Sequence, residues 1–141
     1  MLSNPAGYSG TPLPKKLGFK EGFRALFVNP PAGFAESLDL PGGVEFACET
    51  DTRPLDLSVL FVKSEAELRA GFEPIARRLA PAGMLWVSWP KRSSGVPTDL
   101  NENTIRDFGL AVGLVDVKVC AIDETWSGLK FVIRLKDRPG R

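Results

Sequence analysis

Residues 55–89, LDLSVLFVKSEAELRAGFEPIARRLAPAGMLWVSW, decide the fold. Residues 57–62, LSVLFV, are a near-continuous apolar run with β-branched and aromatic side chains, broken only by Ser58, of the kind that is buried on both faces in a parallel sheet. Ser64 follows, with Glu67 three positions on, which is the capping-box signature of a helix start. Leu68, Phe72, Ile75, Ala76 and Leu79 then recur at helical spacing, and Pro81-Ala82-Gly83 is expected to end the helix. A second apolar run, MLWVSW at 84–89, completes a strand, helix, strand unit. Under period-two alternation Trp86 and Trp89 fall on opposite faces of that strand.

The flanks extend the pattern. Residues 24–28 (RALFV) form a strand that stops in the turn Asn29-Pro30-Pro31-Ala32-Gly33. Residues 34–40 fit one or two helical turns, closed by Pro41-Gly42-Gly43, and 44–48 fit a short strand. On the other side, a loop at 90–98 leads to Asp99-x-x-Glu102, a cap for a helix bearing Ile105, Phe108, Leu110 and Val112. Alternating strands at 114–122 and 129–135, joined by the six residues 123–128, form a hairpin. Strands alternating with helices imply an α/β, three-layer Rossmann-like sandwich: a mostly parallel sheet of about six strands with a C-terminal antiparallel hairpin. Residues 1–14 are expected as a flexible arm, 15–135 as a single domain, and 136–141 as a charged tail.

Composition removes many chemistries. The chain has 141 residues, 18 Lys+Arg against 17 Asp+Glu, two Cys and no His. Without histidine there is no Ser-His-Asp or Cys-His nucleophile system, and two cysteines cannot build a four-ligand zinc site. A net charge of +1 argues against bulk binding to nucleic acid, while leaving room for a local basic patch. The N-terminus lacks the charged and apolar regions of a signal peptide, and no apolar run reaches the roughly 20 residues of a membrane span. A cytoplasmic protein with reduced cysteines is expected. Cys48 and Cys120, read as small buried apolar residues on opposite sheet edges, are not expected to bridge.

Several stretches resemble class I S-adenosylmethionine-dependent methyltransferases in shortened form. LGFKEGFR at 17–24 resembles the lead-in to that family's first strand. LDLSV at 55–59 resembles its aromatic-Asp-Leu strand opening, and LAPAGML at 79–85 its Leu-x-Pro-Gly-Gly turn. The likeness spans about residues 15–135 and lacks one strand and its helices between the second and third strands. The family's first strand ends on an acidic residue and a glycine-rich loop, where the backbone approaches the cofactor. Here Phe27 stands at the acidic position, Asn29 and Pro31 at glycine positions, and only Gly33 is retained; Pro30 and Pro31 also remove two backbone donors. Glu49 or Asp51 could supply the ribose-binding carboxylate that the resemblance implies. Asn29-Pro30-Pro31 is similar to the Asn-Pro-Pro-aromatic motif of amino-group methyltransferases, but with Ala32 in the aromatic place and after the wrong strand. The segments WPKRSSG and GLVDVKVCAIDETWSGLKF are also similar to a family of short bacterial Rossmann-like domains to which no activity is attached.

Ligands in open α/β sheets bind outside the carboxyl ends of the strands. That rule selects Asn29 and Gly33 after the first strand, Lys63 after the third, Lys91, Ser93 and Ser94 after the fourth, and Asp123 and Trp126 at the hairpin. Glu49 joins them as a candidate from the resemblance. A basic pair followed by hydroxyls and glycine suits an anion, and Asp123-Glu124 could hold a cation or act as a base. Each has a structural alternative: Lys91 to Gly95 as a solvated loop, Asp99 as a helix cap, Asp123-Glu124 as a charged hairpin tip, and Lys118 as a guard of an edge strand. The expectation is a non-catalytic domain that binds a small anionic ligand or a protein partner at this edge, with no cofactor. A homodimer is one form of the partner reading. The alternative is a methyltransferase that uses S-adenosylmethionine in an atypical pocket.

Overall fold

A computed structural model describes residues 11–138. Its sheet has six strands in the order β2-β1-β3-β4-β6-β5, where β1 is Arg24–Val28, β2 Glu45–Phe46, β3 Leu55–Phe61, β4 Leu79–Pro90, β5 Leu114–Ala121 and β6 Trp126–Ile133. β2, β1, β3 and β4 are parallel to one another, and β6 is antiparallel to both β4 and β5. β5 therefore points the same way as the first four strands. This is the expected α/β Rossmann-like sheet with its terminal hairpin.

Each face is covered differently. Helices α2 (Glu65–Ala76) and α3 (Glu102–Val112) lie on one face, where Leu68, Phe72 and Ile75 of α2 and Ile105 of α3 join Leu26, Leu60, Val87, Trp89, Leu129 and Phe131. The other face carries Ala25, Leu57, Val59, Phe61 and Trp86, and its cover is the five-residue helix α1 (Leu13–Leu17) with the irregular chain around Phe34, Leu38 and Leu40. Trp86 and Trp89 are buried on opposite faces. The Trp86 indole N–H donates to the Leu17 carbonyl at 2.8 Å, which satisfies the one polar atom of a ring that is otherwise pure apolar burial.

Several boundaries differ from the sequence reading. α1 opens at Leu13, ahead of Lys15, and most of the expected arm lies outside the described residues. The second strand shrinks to Glu45–Phe46, and the helical turns after Phe34 to a single 3-10 turn, Ala35–Ser37. α2 ends at Ala76, two residues after Pro74, whose ring has no N–H to give the preceding turn. Leu79 is consequently not helical but opens β4 opposite Leu55. The next matched pair is Leu57 with Met84, so Ala80 to Gly83 bulge out of register rather than ending a helix. Gly83 is needed there, because a Cβ would stand 2.5 Å from the Leu55 carbonyl oxygen.

The caps also differ. Ser64 caps α2 as expected, accepting from the Glu67 N–H at 3.1 Å, but the Glu67 carboxylate reaches one residue further back, to the Lys63 N–H at 2.6 Å. Asp99 does not cap α3; its carboxylate accepts from the Glu65 N–H of α2 at 2.9 Å. Asn101 caps α3, accepting from Thr104 N–H at 2.9 Å. The hairpin loop is four residues, 122–125, because Trp126 to Gly128 already pair in β6.

α3 approaches the sheet closely through Gly109. A Cβ at this position would lie 2.1 Å from the Phe131 ring. Gly109→Ala should therefore destabilise the fold by about 1–3 kcal/mol in urea unfolding despite its better helix propensity, since overpacking outweighs a gain of about 1 kcal/mol. A neutral or stabilising result would show that the contact relaxes freely.

Candidate functional site

The carboxyl ends of β1, β3 and β4 and the hairpin turn lie along one edge, and two clefts open there. The first, of about 340 Å³, is lined by Asn29, Pro30, Pro31, Phe61, Lys63, Glu67 and Trp126. It unites three of the four segments that the strand rule selects. The second, of about 510 Å³, is bounded by Trp89, Lys91, Arg92, Gly95, Thr98, Asn101 and Ser127, among others. Both sizes fall within the roughly 300–1,000 Å³ of small-molecule sites.

Local chemistry explains how each residue reaches its place. β1 ends at Val28, and the next residue, Asn29, has a left-handed φ of 57°, a conformation that Asn tolerates better than most side chains. Gly33, φ 81°, completes the turn; nothing lies within 4 Å of a Cβ built there, so backbone conformation rather than close approach requires glycine. Trp126 is buried and packs edge-on against Phe61, ring centres 5.2 Å apart. Because β4 lies between β3 and β6, this ring pair crosses over β4, and both residues line the first cleft. Lys63 is anchored by its backbone: its N–H goes to Glu67, and its carbonyl accepts from the Thr98 hydroxyl at 2.6 Å. The residue lines the cleft.

Other candidates turn out to hold the loops. One Asp123 carboxylate oxygen accepts from the Thr125 and Trp126 N–H groups, both at 2.8 Å, an arrangement that sets the hairpin turn. The Ser94 hydroxyl donates to the Lys91 carbonyl at 2.6 Å and accepts from the Val96 N–H at 3.1 Å. Ser93 sits in the same 3-10 turn, Arg92–Ser94. Lys91 borders the second cleft, and its N–H donates to the Thr125 carbonyl at 2.7 Å, which ties the two loops together. Glu67 and Asn101 also reach the clefts although sequence reasoning assigned no site role to either. Both stand in the first turns of helices that begin at this edge, which is the signal that was available.

Glu49 is not part of this assembly. It lines a separate groove of about 100 Å³ with Leu26, Val28, Gly71 and Arg78, on the α2 side. Asp51 is held by Arg53, whose hydrogen bonds keep its carboxyl well below the usual range. Asp56, in the aromatic-Asp-Leu-like stretch, sits at the opposite end of the sheet, accepting from the Arg24 N–H at 2.8 Å. Among the described residues no group of His, Cys, Asp and Glu could hold a metal ion, and no helix is long and apolar enough to cross a membrane.

No family model and no curated protein matches the chain. Solved structures do match. A TehB-like S-adenosylmethionine-dependent methyltransferase from Corynebacterium glutamicum superposes with TM-score 0.55 at 12% identity, over 86% of this chain and 85% of that one. A methyltransferase of the same cofactor class from Aquifex aeolicus gives 0.56 at 15% identity, over 83% and 85%. Aeropyrum pernix fibrillarin, solved with natively bound S-adenosylmethionine, gives 0.58 at 14%, over 85% and 73%. The chain thus has a shortened class I methyltransferase-like fold.

The residues present do not fit that cofactor in the manner the resemblance implies. Phe27, at the acidic position, packs edge-on against Phe34 and Phe46 with centroids 5.1 and 5.0 Å away, and against Phe19 at 6.1 Å. Aromatic rings crowd the end of β1 where a carboxylate would meet the ligand. Two of the following residues are prolines without N–H groups, and Glu49 shares no cleft with Asn29.

The cysteines differ from each other. Cys48 is exposed, contrary to the expectation of burial, and both are free thiols. A hydrogen bond with Thr50 lowers the Cys48 pKa from its ordinary value, whereas burial raises that of Cys120. Iodoacetamide at neutral pH should label Cys48 several-fold faster than Cys120, as peptide mass mapping would show, and equal rates would contradict these environments. For the turn, Asp123→Ala should cost about 1–2 kcal/mol in thermal unfolding while Asp123→Asn keeps most of the stability, because an amide oxygen still accepts both N–H groups.

Proposed function

We propose that this chain is a methyltransferase-fold domain that binds a small anionic ligand in the cleft between Asn29, Lys63 and Trp126 without catalysing a transfer. The observation that carries this reading is the convergence of three carboxyl-edge segments on one cleft, lined by Asn29, Lys63 and the aromatic residues Phe61 and Trp126. Lys63 supplies the charge, and the Phe61-Trp126 pair supplies a flat apolar surface for a ring. The second cleft, with Lys91 and Arg92 beside Asn101, offers a further anionic subsite. Glu67 on the rim disfavours a second negative group close to Lys63.

A second reading has a specific observation in its favour. Two of the three structural neighbours described above are S-adenosylmethionine-dependent methyltransferases, and the third was solved with S-adenosylmethionine bound, which weighs toward a methyl donor as the ligand, held in an atypical pocket. The crowded end of β1 weighs against it.

Thermal unfolding of the wild type and of Lys63→Ala, with nucleotides, S-adenosylmethionine and S-adenosylhomocysteine added separately, tests both readings. A ligand at 100 times its dissociation constant adds about 2.7 kcal/mol, a shift of several degrees at this size. The expected result is a shift with a nucleotide that Lys63→Ala loses, and none with the adenosyl compounds. A shift with S-adenosylmethionine or S-adenosylhomocysteine establishes the second reading in place of the first. No shift with any compound overturns the small-ligand reading.

A further inference from the structure

Away from the carboxyl edge, the sheet face covered by α1 carries a concentration of lysines that the cleft does not use. Lys118 of β5 stands directly opposite Lys130 of β6, and Lys130 is in register with Trp86 of β4. The Trp86 indole is bonded to the Leu17 carbonyl, so the end of α1 and the turn that follows it, with Lys16 and Lys20, sit beside Lys130. Burial lowers the Lys130 pKa from its ordinary value, and Lys118 and Lys20 push it the same way. Lys16 and Lys118 likewise act on the neighbouring Cys120 thiol.

Two features call for an explanation. Like charges directly opposite one another on antiparallel strands are destabilising, and among the described residues no carboxylate forms an ion pair with Lys20, Lys118 or Lys130. A lysine on an edge strand guards against aggregation, which accounts for Lys118 on β5. It does not account for Lys130, because β6 lies inside the sheet between β4 and β5.

We propose that the face formed by Lys20, Lys118 and Lys130, flanked by Lys16, is the docking surface for an acidic, extended segment of a partner protein. Carboxylates delivered there would reverse the local repulsion, so the charge that costs stability in the free chain becomes the source of affinity and of fast association. The exposed apolar side chains of the same edge strand, Val117 and Val119, are aliphatic, Val119 being in register with Leu129 and so on the α2–α3 side of the sheet, whereas Phe46 lies on β2 at the far edge. Single-stranded nucleic acid is recognised by stacking on aromatic rings, which the described residues do not offer here, and aliphatic neighbours suit a peptide. A second copy of this chain brought edge to edge would oppose lysine to lysine.

Fluorescence anisotropy at low and moderate salt tests the proposal, using the full chain and three labelled probes: a peptide alternating glutamate and valine, its glutamine counterpart, and a single-stranded RNA. Saturable, salt-sensitive binding of the glutamate peptide is expected, with none for the glutamine peptide. Lys130→Met, which keeps the apolar stem, should weaken it about tenfold or more while raising the melting temperature, because the desolvated like charge is gone. Weaker binding together with greater stability separates a docking role from a structural one. Absence of glutamate-peptide binding, indifference to Lys130→Met, tighter binding of the RNA, or concentration-dependent dimerisation through this edge would each overturn the proposal.

Discussion

The hydrogen bond from Trp86 to the Leu17 carbonyl is the constraint on which the second half of the core depends. β3 and β4 are buried on both sides, so each face of the sheet must be covered. α2 and α3 cover one face with two full helices. The other face has only α1, five residues long, together with the irregular chain around Phe34. A helix that short has no stability of its own; it stays because Leu17 is fully buried and its carbonyl receives the indole N–H. The same contact brings the end of α1 beside β6, which is why lysines from opposite ends of the chain meet there.

The aromatic series on that face has a further effect. Phe19, Phe27, Phe34, Phe46, Phe61 and Trp126 form a continuous chain of edge-on contacts from β2 to β6. Pairs of this kind contribute about 0.5–1.5 kcal/mol each beyond their area. They give a thinly covered face the cohesion that a longer helix would otherwise supply. Stability and ligand access compete at the end of β1, and Phe27 settles that competition toward stability.

Much of the architecture was legible from the chain alone. The near-continuous apolar runs at 57–62 and 84–89, the Ser64 cap and the alternating C-terminal strands each encode one element locally. What was not legible depends on partners distant in sequence. Leu79 matches the helical period as well as it matches a strand, and only its pairing with Leu55 decides. Asp99 has the spacing of a cap for the helix that follows it and serves instead the helix begun by Glu65, a contact 34 residues away. At the site, residues after strand ends were legible because topology places them there. Asp123 and Ser94 carry hydrogen bonds within their own loops, which residue type and position alone do not reveal, and Glu49 lines a separate groove because β2 is too short to carry it to the carboxyl edge.

The ties between loops have a kinetic meaning. Thr98 and Asp99 bind back to Lys63 and Glu65, and Lys91 binds Thr125. Opening any one of these loops by itself would leave donors or acceptors of another unpaired. The start of α2, the loop before α3 and the hairpin turn are therefore joined into one hydrogen-bonded network, the arrangement from which a cooperative opening unit is built.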